Sequence, residues 1–480
     1  MDLHVNLQSR RDIAGQIYRE LRAAILDGRL RRGERVPPTR ELAKRLSVSR
    51  NTVSVAYEWL TAEGLLAGRT RAGSFVQGEA PGSSGRVRAS SAMRLRARAI
   101  WSTLPDPRAP DAPMAHDFRV GIPDARLFPF ETWRRLLARQ LRAATAPSGH
   151  AEAAGHLGLR EAVTRHVGVA RGVHADAGDV LVTHGAQQAL DLIGRVLLEP
   201  GDCVAVEEPG YPPARMLFQS LGARVVSVPV DAEGLDVRAL PDDARLVYVT
   251  PSHQFPLGMP MSPARRTALL DWAKQRDAVV IEDDYDSEFR FGGRPLETLF
   301  SLDRSGRVIY VGSFSKVMLP ALRLGFLIAP PSIQRELRVA KQVSDWHSQW
   351  PAQAALARFI DEGLLARHIR KMRREYESRH ERILERLTRD FGDWLRPVPS
   401  VAGLHLSATL RRGGLKLERE TLERAQAAGV GIEGLSSYCA SRPAQPGFVL
   451  GYGAVATTHI DEGLRRLRAC VAAAATAKRP

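Results

Sequence analysis

The 480-residue chain is poor in cysteine. It has three, Cys203, Cys439 and Cys470, an odd number with no two close together. That spacing excludes a disulfide framework and a zinc site built on cysteine pairs, and it suits the reducing cytosol. Long apolar runs are missing too. No stretch of about 18 uncharged apolar residues occurs, which excludes a transmembrane helix. The opening residues MDLHVNLQSRRDIAGQ lack an apolar core segment, so no signal peptide is expected. These absences predict a cytoplasmic protein with no membrane partner. Hydrophobic residues at 44% and charged residues at 25% are ordinary globular usage, which excludes wholesale disorder. The length exceeds one small module.

Acidic residues are outnumbered, 53 Asp+Glu against 69 Lys+Arg, for a net charge of +16. The excess is uneven: residues 1–110 carry 20 Lys/Arg and 10 Asp/Glu, so +10 of the +16 lies there. A basic front end on a nearly balanced body points to a polyanion partner. An arginine-favouring codon usage would produce the same charge, so the patterning has to decide.

Residues 1–77 read as three helices and a hairpin. Ile13, Ile17, Leu21 and Ile25 recur at i+4, and Gly28 is a natural stop. Thr39 is placed to cap a second helix that buries Leu42 and Leu46, and Ser49 to cap a third that buries Val53, Tyr57 and Leu60. Leu65 to Ala67 and Ser74 to Val76 flank a turn from Gly68 to Gly73. This is the pattern of a winged helix-turn-helix, whose second helix enters the DNA major groove by its N-terminus. Ser49, Arg50, Asn51 and Thr52 open that helix with hydrogen-bonding side chains. Arg50 suits a guanine or a phosphate, and Ser49 and Thr52 suit phosphates or base edges. Arg40, Arg69 and Arg71 suit backbone contacts. A solvated basic face is the alternative.

Residues 78–115 are rich in Pro, Gly, Ser and Arg and read as a linker, within which MRLRARAI has the makings of a docked helix. From 116 onward, apolar strands ending in polar residues alternate with helices: DVLVTHG, DCVAVEEPGYP, RLVYVTPS, AVVIEDDYD and RVIYVGSFSK. That order predicts a mostly parallel sheet with its site at the strand C-termini. After about 340 the pattern becomes helical and then carries short strands, GLHLSATL and GFVLGY, which reads as a smaller α+β lobe.

Three strand ends hold unusual polar sets. Ser313, Ser315 and Lys316 follow one strand, with Arg323 seven residues on. A lysine flanked by hydroxyls and an arginine suits a Schiff base to a phosphorylated aldehyde, the hydroxyls and guanidinium holding the phosphate. A surface lysine with an arginine paired elsewhere is the alternative. Asp283 and Tyr285 would share a face of a strand, the carboxylate beside a pyridine nitrogen and the phenol beside the ring's 3-oxygen. Asp284 and Glu282 are read as structural. An acidic metal cluster is the alternative, but no histidine stands at ligand spacing and a tyrosine is interleaved, so no metal is expected. Thr183 to Gln188 open a helix whose N–H groups favour phosphate. Tyr211, in EEPGYP, is placed to stack on a ring or to pack in its loop.

On these motifs the chain resembles two families joined end to end. PPTRELAKRLSVSRNTVSVAYEWLTAEGLLAGRTRAGSFV is similar to the GntR-type winged helix, with Thr39 where that family usually has Ser. GAQQALD, EEPGYP, TPSHQFPLG, IEDDYDSEFRF and GSFSKVMLPALRLG resemble the aminotransferase class I group of fold-type-I pyridoxal-phosphate enzymes, over residues 116–480. The order of the halves is similar to the MocR/GabR group of bacterial regulators. The first resemblance implies operator binding through Arg40, Arg50, Thr52 and the wing. The second implies pyridoxal 5'-phosphate as cofactor, with Lys316 as its internal aldimine, Asp283 on the pyridinium, Tyr285 at the 3-oxygen and Tyr211 stacked. Ala186, Gln187, Ser313, Ser315 and Arg323 would then surround the phosphate.

The chain departs from the aminotransferase pattern at three places. Phe255 stands where an asparagine usually holds the 3-oxygen. Val449 stands where an arginine usually clamps the substrate carboxylate, with Arg442 as a substitute upstream. His150 to Gly155 replace a YGDPxG turn. The expectation is a homodimeric regulator that responds to an amino compound or to pyridoxal phosphate itself. A working aminotransferase that carries a DNA-binding arm is the alternative.

Overall fold

The computed structural model describes residues 12–69, 73–77, 96–106, 114–142, 149–292, 296–440 and 445–476. It falls into two units, Met1–Ala97 and Arg98–Pro480.

The first unit contains helices α1 (Ile13–Leu26), α2 (Thr39–Leu46) and α3 (Arg50–Ala62) and an antiparallel hairpin, β1 (Leu66–Arg69) with β2 (Gly73–Val76). The i+4 apolar stripe of α1 forms the helix because it has a face to bury. Ile17, Leu21 and Ile25 are buried in one cluster with Val53, Tyr57 and Leu60 of α3, and Leu66 and Val76 close it from the hairpin. Each such side chain contributes roughly 1.5–3 kcal/mol on burial. Gly28, at φ +80°, lets the chain turn away just past α1. Two expectations are corrected here. Pro38 holds the cap position of α2 and Thr39 is its first helical residue, because Pro fixes the extended φ that a cap requires. Gly68 and Arg69 continue β1 and are not part of the turn. The side chain of Arg69, and all of Arg71, lie outside the described residues.

The first strand of the second unit is β3 (His116–Asp117). Its main sheet uses β4 (Val180–Thr183), β5 (Cys203–Glu208), β6 (Arg224–Asp231), β7 (Gly234–Leu235), β8 (Ala244–Val249), β9 (Val279–Asp284), β10 (Val308–Ser313) and β11 (Gly325–Ile328), in the order β4-β11-β10-β9-β8-β5-β6-β7. Strands β10-β9-β8-β5-β6 pair in parallel. The sheet is covered on both faces, which is why its strands read as continuous apolar runs. Val204, Leu246, Ile281 and Val311 pack with the helix Ala186–Leu197. Ala205, Val247, Val280 and Val308 pack with the helix Pro263–Gln275. The polar strand ends line one edge, as expected of a parallel arrangement. Strand β11 was not foreseen; it runs antiparallel between β4 and β10.

The smaller lobe carries the long helix Leu364–Asp390 and strands β12 (Leu395–Pro397), β13 (His405–Leu410), β14 (Val430–Gly431), β15 (Glu433–Gly434) and β16 (Gly447–Gly451). Its antiparallel sheet runs β12-β13-β16-β15, while β14 pairs in parallel with β3. The first residues of the unit therefore belong with its last hundred, and the N–H of Gly451 donates to Phe118 O at 2.7 Å. Within 78–115, a short helix, Ile100–Thr103, is present; residues 78–95 and 107–113 lie outside the described residues. Among the described residues no helix is long and apolar enough to cross a membrane.

Candidate functional site

Strands β8, β9 and β10 deliver the central groups. Asp283, in β9, is buried; its Oδ2 accepts from the Tyr248 hydroxyl at 2.7 Å, and its Oδ1 is buried with no partner among the described residues. Burial pushes this carboxyl up to about 7 despite the Tyr248 hydrogen bond. Lys316 follows β10 and donates from Nζ to Gly121 O at 2.8 Å. Burial lowers its pKa, opposed by the carboxylates of Asp286, Asp283 and Glu433. Asp284 faces the other way, paired with the Arg171 guanidinium (2.7 Å) and accepting the Tyr310 hydroxyl (2.6 Å). Glu282 accepts the N–H groups of Leu299 and Phe300. Both thus stand as structural.

At the other end of the pocket, Gly185 holds the cap of the helix Ala186–Leu197 at φ +77°, with no side chain to occupy the N–H groups of Ala186 and Gln187. Arg323, itself at φ +52°, donates to His184 O at 2.6 Å, and its guanidinium lies 3.2 Å from where a Cβ on Gly185 would stand. A side chain at 185 would therefore displace it. The Gln187 side chain turns away to Pro213 O. Ser313 Oγ accepts the N–H of Ser315 at 3.1 Å. A helix start, two serines and a guanidinium make a cradle for a phosphate.

Tyr211 and Tyr285 flank Phe255, with ring centroids 5.6 and 5.7 Å from it. Tyr285 lies just past β9, and its hydroxyl donates to His253 O at 2.9 Å. His253 lies in the segment TPSHQFPLG. It is buried, with Nδ1 3.0 Å from Asp286 Oδ1 and Nε2 3.2 Å from Ser400 Oγ. His405, on the small lobe, has its ring centroid 4.8 Å away and tilted by 46°. His253, Asp286 and His405 bring donor atoms within 4.8 Å of one another, with His253 and His405 about 150 residues apart in the chain. Sequence spacing carries no signal for such a meeting. Val449 is fully buried in β16 among Leu257, Leu435 and Tyr438. Arg442 lies outside the described residues. Gly155, at φ +97°, packs on Val182 and ends the turn that begins at His150.

The pocket fits pyridoxal phosphate. A buried acceptor with one open oxygen suits a ring N–H, an amine suits the aldehyde, and the helix-start cradle suits the phosphate.

In the first unit, Ser49 caps α3 by accepting the N–H of Thr52 at 3.0 Å, and the two hydroxyls lie 2.8 Å apart. Arg40 and Arg50 are exposed. The start of α3 thus has one committed hydroxyl pair, and the exposed Arg50 donates from Nε to Thr39 Oγ1 at 3.5 Å.

Two family models match: bacterial regulatory proteins, gntR family, over residues 13–76, and aminotransferase class I and II over residues 117–412. The protein named "Probable rhizopine catabolism regulatory protein MocR" of Rhizobium meliloti is 39% identical over 94% of this chain and 92% of its own. The pyridoxine biosynthesis transcriptional regulator PdxR of Corynebacterium glutamicum is 32% identical over 97% of this chain and 96% of its own. Among solved structures, the Pyrococcus horikoshii kynurenine aminotransferase, in complex with PMP, superposes with a TM-score of 0.70 at 30% identity, over 82% of this chain and 98% of that one. With both halves matched in order and the full length shared, the chain belongs to the MocR-type transcriptional regulators, in which a GntR-family helix-turn-helix region precedes an aminotransferase-fold domain.

Proposed function

We propose that the protein is a DNA-binding regulator that holds pyridoxal phosphate in its aminotransferase-like domain and responds there to an amino compound. Residues 1–77 serve as the DNA-binding head, 78–115 as linker and 116–480 as the sensing domain. The open, buried Oδ1 of Asp283 carries the reading, because an unpaired buried acceptor is costly unless a ligand donor completes it. When bound, pyridoxal phosphate supplies an aldehyde for an amine and a ring nitrogen that draws electrons. The chain's part is to hold and orient it. Asp283 accepts the ring N–H, and Tyr211 covers the ring. Tyr285 would turn its one hydroxyl hydrogen from His253 O to the 3-oxygen, and Ala186, Gln187, Ser313, Ser315 and Arg323 would bind the phosphate. Lys316 presents an amine whose proton burial loosens.

Control of transcription requires that the effector bind two arrangements of the protein with different affinity. In a homodimer, two heads would read two half-sites through Arg40, Ser49, Arg50, Thr52, Arg69 and Arg71. Its DNA target places it in the cytoplasm. The test is operator binding by the full chain, titrated first with pyridoxal phosphate and then with amines. A response only to the second addition supports the reading. A response complete with cofactor alone favours a cofactor sensor, which the likeness to PdxR recommends. Sustained keto-acid release from an amino donor and 2-oxoglutarate would instead make the chain a working aminotransferase.

A further inference from the structure

Residues 119–121 and β15 of the small lobe meet beside Lys316, and the cation among them, Arg119, is already paired with Asp117 at 2.6 Å. Glu433 in β15 lies opposite Val449 in β16, so the two share a sheet face. Glu433 is part-exposed and rigidly held, accepting the N–H of Val120 at 2.8 Å on one oxygen and the Tyr438 hydroxyl on the other. The next residue, Gly121, is the one whose carbonyl receives Lys316 Nζ. The carboxylate therefore stands one residue behind the contact to the reactive amine. The charged groups that act on that amine, Asp286, Asp283 and Glu433, are all carboxylates. Val449, at the position where a carboxylate clamp was expected, is sealed among Leu257, Leu435 and Tyr438 and offers no donor.

Building on the cofactor reading above, we infer that the effector is an amine without a carboxylate, and that it presents a hydroxyl or a second ammonium to Glu433. A ligand carboxylate placed here would meet like charge and an apolar wall, and would lose its hydration without gaining an uncommitted cation among the described residues of this wall. A hydroxyl or ammonium has a hydrogen to donate to Glu433, whose oxygens retain lone pairs beyond the two bonds already made. Glu433 is thus the specificity-determining residue of the pocket, and it excludes ordinary amino acids.

The experiment is a visible-absorbance titration of the full chain loaded with pyridoxal phosphate. The ligands are 2-aminoethanol, glucosamine and 1,4-diaminobutane, compared with alanine and 4-aminobutanoate. At least one carboxylate-free amine is expected to shift the band at concentrations roughly tenfold or more below those that either amino acid needs. Whether hydroxyl or ammonium is preferred is read from the first three. Glu433→Gln, which keeps the shape and removes the charge, should shrink that ratio by a similar factor. Tyr438→Phe keeps the charge and should preserve the ratio. Wild-type protein with no visible band would overturn the cofactor reading and this inference with it. A normal band that the amino acids shift as readily, or that none of the five amines shifts, overturns the inference alone. So does a ratio unmoved by Glu433→Gln, or one that Tyr438→Phe abolishes equally.

Discussion

In the head, the polar groups aimed outward stand in water. Arg40 and Arg50 are exposed, and the hydroxyls of Ser49 and Thr52 are satisfied by each other. In the pocket, Asp283, Asp286 and His253 are buried and Lys316 is half-buried, and each is held by a named partner at about 3 Å or less. Exposed charges interact through a high dielectric and are screened within about 8–10 Å at ordinary salt. Buried ones are not, so their positions shift pKa values and leave orphaned atoms. The head therefore spreads its function over many small, salt-sensitive contacts. The pocket concentrates its function in a few groups.

Substitutions should expose that contrast, and the largest effect belongs to the pocket. Lys316→Ala is expected to abolish covalent attachment altogether: no visible band and no cofactor fixed by borohydride, read by absorbance and mass spectrometry. Retention of fixed cofactor would move the reactive amine elsewhere.

Asp283→Asn comes next and has a pH signature. The buried Asp283 carboxyl, raised to about 7 by burial, keeps its proton in the cofactor-free folded state and loses it near pH 4 when unfolded. Folding thus takes up a proton between about pH 4 and 7, and the wild type loses stability as pH rises through that window. The asparagine variant lacks this slope. Denaturant unfolding of the two cofactor-free proteins should show the wild type losing about 4 kcal/mol relative to the variant between pH 4 and 8. Parallel curves would mean that Asp283 ionises freely and is not the buried group described here. The same variant should bind pyridoxal phosphate more weakly, since an amide cannot stabilise a protonated ring nitrogen.

On the head, Arg50→Ala should weaken operator binding by about 1–3 kcal/mol if the guanidinium reads a base, with a salt dependence close to the wild type's. If it touches a phosphate, the loss should be uniform across sequences and the salt slope should fall. Fluorescence anisotropy at several salt concentrations separates the two. Smallest is Ser49→Ala, which removes the cap of α3 and should cost about 1 kcal/mol of head stability, seen as faster amide exchange in that helix. A larger loss of DNA affinity than of stability would give Ser49 a direct contact as well.

Legibility along the chain followed how local each determinant is. The apolar stripe of α1 and the run VIYV of β10 announce themselves, because burial is periodic in a helix and continuous in a sheet covered on both faces. Lys316, Asp283 and Arg323 were readable because each lies within a few residues of a strand end, and the strand carries it to the edge. Thr39 was misread because its neighbour Pro38 already met the backbone requirement of a cap. His253, Asp286, His405, Tyr248 and Glu433 had no readable role. Apart from Tyr438, five residues from Glu433, their partners lie tens to hundreds of residues away, and only the pairing of strands and the packing of the lobes bring them within reach.

The sequence by itself determined the two-part organisation, the helix-turn-helix, the alternation that makes the sheet, and the amine, acid and phosphate cradle at its edge. Each of these depends on chemistry within a short window of chain. The tertiary structure alone decided which oxygen of Asp283 stays open, that β11 runs backwards between its neighbours, and that β3 returns to the small lobe. It also decided that Glu433 stands behind Gly121. Such outcomes depend on which distant segments exclude water from one another, and no local pattern encodes that.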